Sequence, residues 1–167
     1  IQAAAQLVNR GMPVELHIVG EGQLKSQLHR QVKDLNLAEA VTFHGFVPQG
    51  VPLLQLYRQS HVFILPSLED QQPKVLMEAM SQSIPVVATN VGGVPSIVGD
   101  SQRGLLVEAA DHEDLAAKVQ QMLTDGALRQ RLVTEGLAFA AEHTVEQETE
   151  KVLNVVAERL ELKGIPV

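Results

Sequence analysis

The 167-residue chain contains no cysteine. That excludes a disulfide framework and cysteine-based zinc sites. It has no Trp, one Tyr and four Phe, so a core must be assembled from Leu, Val, Ile and Ala. Long apolar runs are missing as well: the longest reach about five residues, where a membrane-spanning helix needs roughly 20. No signal-peptide pattern opens the chain. A basic surplus is also lacking, with 13 Lys and Arg against 20 Asp and Glu and a net charge of −7. A nucleic-acid partner needs a basic footprint and is not expected. A small anionic ligand remains compatible, because backbone amides bind anions against the global sign of charge.

What is present fits one soluble domain. The length allows a sizeable core, and 45% hydrophobic with 20% charged residues is ordinary for a globular protein. The first residue is Ile1, and "IQAAAQLVN" already reads as helix, so the chain is expected to be a piece of a longer one. Residues 1–167 read as a single domain without repeats or a linker.

Helical and extended patterns alternate. Helix 1–10 stops at Gly11. "VELHIVG" (14–20) reads as a buried strand. "QLKSQLHRQVKDLNL" repeats Leu24, Leu28, Val32 and Leu35 at a helical period. Strand 40–46, a helix from Pro52, strand 61–67, a helix from Pro73, strand 84–89 and strand 103–108 follow. "NVGGVPSIVG" reads as a loop with one helical turn. From Asp111 to the end the chain is helical, with breaks near Gly126 and His143. Its apolar stripes are Leu115, Val119, Met122 and Leu123, then Val152, Leu153, Val156 and Leu160. Near-uniformly apolar strands separated by helices predict an α/β fold: a doubly wound parallel sheet in three α/β/α layers. Such a sheet grows outward from a central first strand, and here that strand would precede Ile1.

The stretch "LEDQQPKVLMEAM" (68–80) has Asp70 in the loop after a strand and Glu78 two turns into the next helix. Pro73 suits the start of that helix, where its missing N–H is no loss. The amides of Gln71, Gln72, Lys74 and Val75 are then expected to be free at a positive helix end, which favours an anion. Val75, Leu76, Ala79 and Met80 share the buried side; Lys74, Glu78 and Gln82 share another. The plain reading is that Asp70 caps the helix and Glu78 pairs with Lys74. The functional reading is one wall of a cleft, with Glu78 accepting from a ribose diol and a diphosphate lying over the amides.

Other patterns are weaker. "GEG" at 20–22 follows a strand, but Lys25 stands where a dinucleotide fingerprint needs a third glycine. Gly92 and Gly93 lie at the same carboxyl edge and read as a tight turn. His17, His29, His44, His61, His112 and His143 show no metal-ligand spacing. His17 and His61 read as packing residues, and His44 alone is placed to see a ligand. No nucleophile elbow is present.

The run "LPSLEDQQPKVLMEAMSQSIPVVATNVGGVPSIVGDSQRGLLVEAADHEDLAAKVQQML", with "VELHIVGEGQLKSQL" and "AVTFHGFVP" upstream, resembles the C-terminal, donor-binding half of the family-4 retaining glycosyltransferases of the GT-B fold. The resemblance covers nearly the whole chain. It implies transfer of a sugar from a UDP or GDP donor to an acceptor hydroxyl, without a metal or cofactor. Asp70 takes the position that contacts the transferred sugar, and Glu78 the one that holds the ribose. Gln71, Gln72, Pro73, Lys74 and Val75 lie along the diphosphate and sugar, and the Val47 backbone faces the base. It further implies a missing N-terminal acceptor domain as partner, residues 111–167 as closing helices, and inactivity of this piece alone. A cytoplasmic enzyme of polysaccharide or glycolipid biosynthesis is expected, with membrane contact through the missing half. The sequence departs from the family at Asp70 (usually Glu), Gln71 (Gly), Ser83 (Gly) and Ser96 (Glu). The first change withdraws a carboxylate by about 1.5 Å. A non-catalytic domain with a degenerate donor site is therefore the alternative reading, and a nucleotide-sugar epimerase a further one.

Overall fold

The computed structural model describes residues 1–161. The elements in chain order are α1 (Gln2–Asn9), β1 (Leu16–Val19), α2 (Lys25–Asp34), β2 (Val41–Gly45), α3 (Val51–Gln59), β3 (Phe63–Leu65), α4 (Lys74–Ser81), β4 (Val86–Thr89), α5 (Val94–Val98), β5 (Leu105–Val107), α6 (His112–Thr124), α7 (Gly126–Glu142) and α8 (Val145–Glu161). All strand pairs are parallel, which is why a helix must carry the chain back between them. Val86, Val87 and Ala88 of β4 are fully buried, as the middle strand of the order β3-β4-β5 must be.

The expected single sheet is instead two. β1 pairs with β2, and β3, β4 and β5 form a separate sheet. The physical reason is that no strand among the described residues lies between β1 and β3 to hydrogen-bond with both. Helix α1 joins the two halves by packing. Its Ala3 and Leu7 share a cluster with Val87, Leu105, Val119 and Met122. Its Ala5 shares another with Val32, Leu37 and Val41. A third cluster, on the other side of β4, gathers Tyr57, Leu76, Met80, Val86 and Val94.

Three further expectations are corrected. Strand β1 is not buried on both faces: Leu16 and Ile18 face the core, whereas His17 and Val19 are exposed. α1 and α2 cover only the first face. His17, on that open face, is accordingly exposed, and so is His61 just before β3; neither is a core residue. His17 Nδ1 meets His44 Nε2 across the open face at 2.9 Å. Lastly, the stripe of α8 is uncovered, with Val152, Leu153 and Val156 between 47% and 61% exposed; the side chain of Leu160 lies outside the described residues. The stripe of α6 does pack inward, with Val119 and Met122 buried and Leu115 and Leu123 against them.

Candidate functional site

The site is built where β3 and β4 end. Thr89, the last residue of β4, is 3% exposed. Its hydroxyl donates to the carbonyls of Leu65 and Ser67. This ties the two strand ends together and fixes where the loop 66–73 begins.

A second clamp holds the middle of that loop. The Gly93 N–H donates to the Asp70 carbonyl at 2.8 Å. A Cβ on Gly92, whose φ is +51°, would lie 2.1 Å from the Asp70 carbonyl oxygen, and one on Gly93 would lie 2.3 Å from that of Gln71. Both distances are far inside contact, so the approach requires glycine at each position. Within the loop, Asp70 Oδ1 accepts from the Gln72 N–H at 3.2 Å. This is a two-residue Asx turn, not a helix cap. Helix α4 begins at Lys74 after a buried Pro73, and no side chain caps it.

The amides divide accordingly. The expectation of four free N–H groups is corrected at Gln72, which serves Asp70, and at Lys74, which donates to the Gln72 carbonyl at 2.8 Å. The N–H groups of Gln71 and Val75 meet no acceptor among the described residues. With an uncapped helix start beside them, they leave a place for negative charge. The Lys74 side chain is exposed and forms no ion pair among the described residues; it can add a cation there.

Glu78 lies two turns along α4 and is half-buried. It does not pair with Lys74. Its Oε2 accepts from the Tyr57 hydroxyl at 3.1 Å. Tyr57 stands in the last turn of α3, 6% exposed, with its ring tilted against Phe63 at 5.5 Å. Burial, then the adjacent Glu78 carboxylate, pushes the phenol well above its ordinary range. Val47 follows β2 in the loop 46–50, half-exposed, and its backbone makes no hydrogen bond among the described residues.

The structure thus links Asp70, Gln71, Gln72 and Pro73 to one turn, and sets Glu78 on the helix that this turn opens. A groove of about 830 Å³ lies elsewhere, between α7 and the entries to β3 and β4, lined by His61, Pro85, Leu123 and Leu137 among others. It contains neither acid. The "GEG" stretch is a turn into α2, with Lys25 paired to Glu21 at 3.3 Å. Tyr57 and Thr89 escaped sequence reasoning. The only signal for Tyr57 was that a chain with one tyrosine placed it in an otherwise apolar helical segment.

The chain matches the family described as Glycosyl transferases group 1 over residues 1–138. It is 31% identical over 136 residues to the lipopolysaccharide core biosynthesis glycosyltransferase LpsE of Rhizobium meliloti, a match covering 81% of this chain and 38% of that protein. It superposes on Anabaena HepE, solved with UDP-glucose, with a TM-score of 0.82 at 23% identity, covering 93% of this chain and 43% of the other. It also superposes on the C-terminal domain of a group 1 family protein, LpcC of Francisella tularensis, with a TM-score of 0.75 at 24% identity, covering 84% and 74% of the two chains. The chain spans less than half the length of the curated relatives it matches. No helix among the described residues is long and apolar enough to cross a membrane. The solved neighbours share its α/β fold with parallel strands, the Rossmann-like half of GT-B glycosyltransferases. With more than four-fifths of its length matched, the chain belongs to the glycosyl transferases group 1 family.

Proposed function

We propose that this chain is the donor-binding half of a retaining, family-4 glycosyltransferase that moves a sugar from a UDP or GDP donor to an acceptor hydroxyl. In this reading a strand preceding α1 joins the two sheets, and an N-terminal domain supplies the acceptor side of the cleft. The enzyme works in polysaccharide or glycolipid biosynthesis on the cytoplasmic side.

The observation that carries the reading is the turn at 70–75. Two N–H groups without a partner among the described residues, those of Gln71 and Val75, flank an uncapped helix start. A diphosphate there would gain hydrogen bonds and a favourable helix end. Glu78 retains one carboxylate oxygen for the ribose hydroxyls. The carboxylate of Asp70 and the backbone of Gln71 and Gln72 face the sugar, and Val47 faces the base. As the glycosidic bond breaks, charge builds on the leaving diphosphate. The amides and Lys74 oppose that charge without reorganising, which is how such a site lowers a barrier. The acceptor hydroxyl attacks from the face the diphosphate leaves, in a cleft that keeps out water. This chain by itself supplies one wall and does not turn over.

Calorimetric titration of the folded protein with UDP and with GDP tests the reading. Binding of one of them, weakened by Glu78→Gln, is the expected result. No heat from either at millimolar concentration removes the donor site.

One observation favours a second reading, a non-catalytic domain of the same fold. Asp70 is one carbon shorter than the family's glutamate, and its Oδ1 already serves Gln72. Asp70→Glu in the full-length protein discriminates. A large rise in transfer marks an eroded enzyme, unchanged substantial transfer marks a site suited to aspartate, and no transfer from either form marks the non-catalytic domain.

A further inference from the structure

We propose that Tyr57 is the positioning residue for Glu78, and that it thereby sets the discrimination between ribose and 2′-deoxyribose in the donor. The inference rests on the donor site described above.

The one side-chain partner of Glu78 among the described residues is the Tyr57 hydroxyl, on Oε2. The partner expected from sequence, Lys74, is not engaged. Tyr57 cannot move to suit a ligand: it is buried, its ring lies against Phe63, and it packs in the cluster of Leu76, Met80 and Val86. Among the described residues its hydroxyl has no other partner. A carboxylate accepts about four hydrogen bonds through two oxygens, so Oε1 and the second lone pair of Oε2 stay open. Two adjacent ribose hydroxyls each carry a proton to donate, which matches what is left. The phenol itself offers nothing further to the sugar, because its one proton is used on Glu78. Burial and the neighbouring carboxylate keep that proton on, so the contact persists throughout the working pH range.

Without the hydroxyl, Glu78 would keep its charge and lose its fixed orientation. The diol would then have to order the side chain on binding. The expected loss in nucleotide affinity is about three- to tenfold for the ribose form and smaller for the 2′-deoxy form, which keeps only one of the two hydroxyls that reach Glu78. A role in packing alone would weaken both equally.

The test measures binding of UDP, GDP and their 2′-deoxy forms to the full-length protein as wild type, Tyr57→Phe and Glu78→Gln. Supporting results are a ribose preference in the wild type, its loss in Glu78→Gln, and its reduction in Tyr57→Phe. If Glu78→Gln abolishes the preference and Tyr57→Phe leaves it intact, the positioning role is overturned and the donor site stands. If the wild type binds no nucleotide, both fall. A second measurement needs no ligand. The chain has a single tyrosine and no tryptophan, so phenolate absorbance titrates Tyr57 alone. Its transition should move down in Glu78→Gln; no movement overturns the contact itself.

Discussion

Gly93 is the residue on which the loop geometry turns, since a methyl group there would sit 2.3 Å from the Gln71 carbonyl. Gly93→Ala must push the 70–72 turn away. It should weaken nucleotide binding by roughly tenfold or more and cost about 1–3 kcal/mol of stability, measured by calorimetry and denaturant melts. Ser83 offers the reverse case. It follows α4 with φ +60°, and its N–H bonds the Met80 carbonyl while that of Ile84 bonds Ala79, a left-handed helix stop. Ser83→Gly should raise stability by about 0.5–1 kcal/mol, so this departure from the family is conformational. Tyr57 gives a pH dependence. Its folded-state pKa lies above the unfolded value of about 10, so stability is intact below that pH and falls as pH rises past it. Tyr57→Phe should flatten this alkaline decline in melting temperature. The spacing of Asp70 and Glu78 was legible in the sequence because a loop acid and a helix acid are local facts. The Tyr57 contact was not, since 21 residues separate it from Glu78 and only the packing of α3 on α4 closes the gap.

At the level of elements, the two uses of Asp show how context decides. Asp111 caps α6, its Oδ1 accepting from Glu113 at 3.1 Å and Asp114 at 2.9 Å. Asp111→Ala should cost about 1 kcal/mol, read from a thermal melt. Asp70 precedes α4 by too many residues to do the same and closes its own turn instead, which leaves the start of α4 open. That distinction was invisible in the sequence, where Asp70 read as a cap. The strands were legible from their apolar runs, but β1 was misread as doubly buried. The alternation of Leu16 and Ile18 with Glu15 and His17 was already the mark of one open face. Helix α5 read as a single turn in a loop because its five residues carry a proline and begin after two glycines; it forms because Val94 and Val98 are fully buried.

For the whole molecule the consequences come from what is left uncovered. Among the described residues the outer edges of β1 and β3 have no partner strand, and α8 exposes Val152, Leu153, Val155 and Val156. Unpaired edges and contiguous apolar surface promote association. The 167-residue chain expressed alone should therefore associate with rising concentration in sedimentation experiments. Val152→Lys with Val156→Lys should reduce this without lowering the melting temperature, because neither side chain is in a core cluster. The parallel α/β class was legible from the order of patterns. The split into two sheets was legible only as an expectation about a strand, since a sequence announces the strands it has.

The atoms nearest to the glycine turn at 92–93 include the peptide groups at 70 and 71 and not their side chains. The turn is therefore blind to which amino acids stand there. Position 71 can change without disturbing this clamp, whereas position 70 also closes its own turn through Oδ1. Loops of foreign sequence should be graftable onto this chain as long as both glycines are kept.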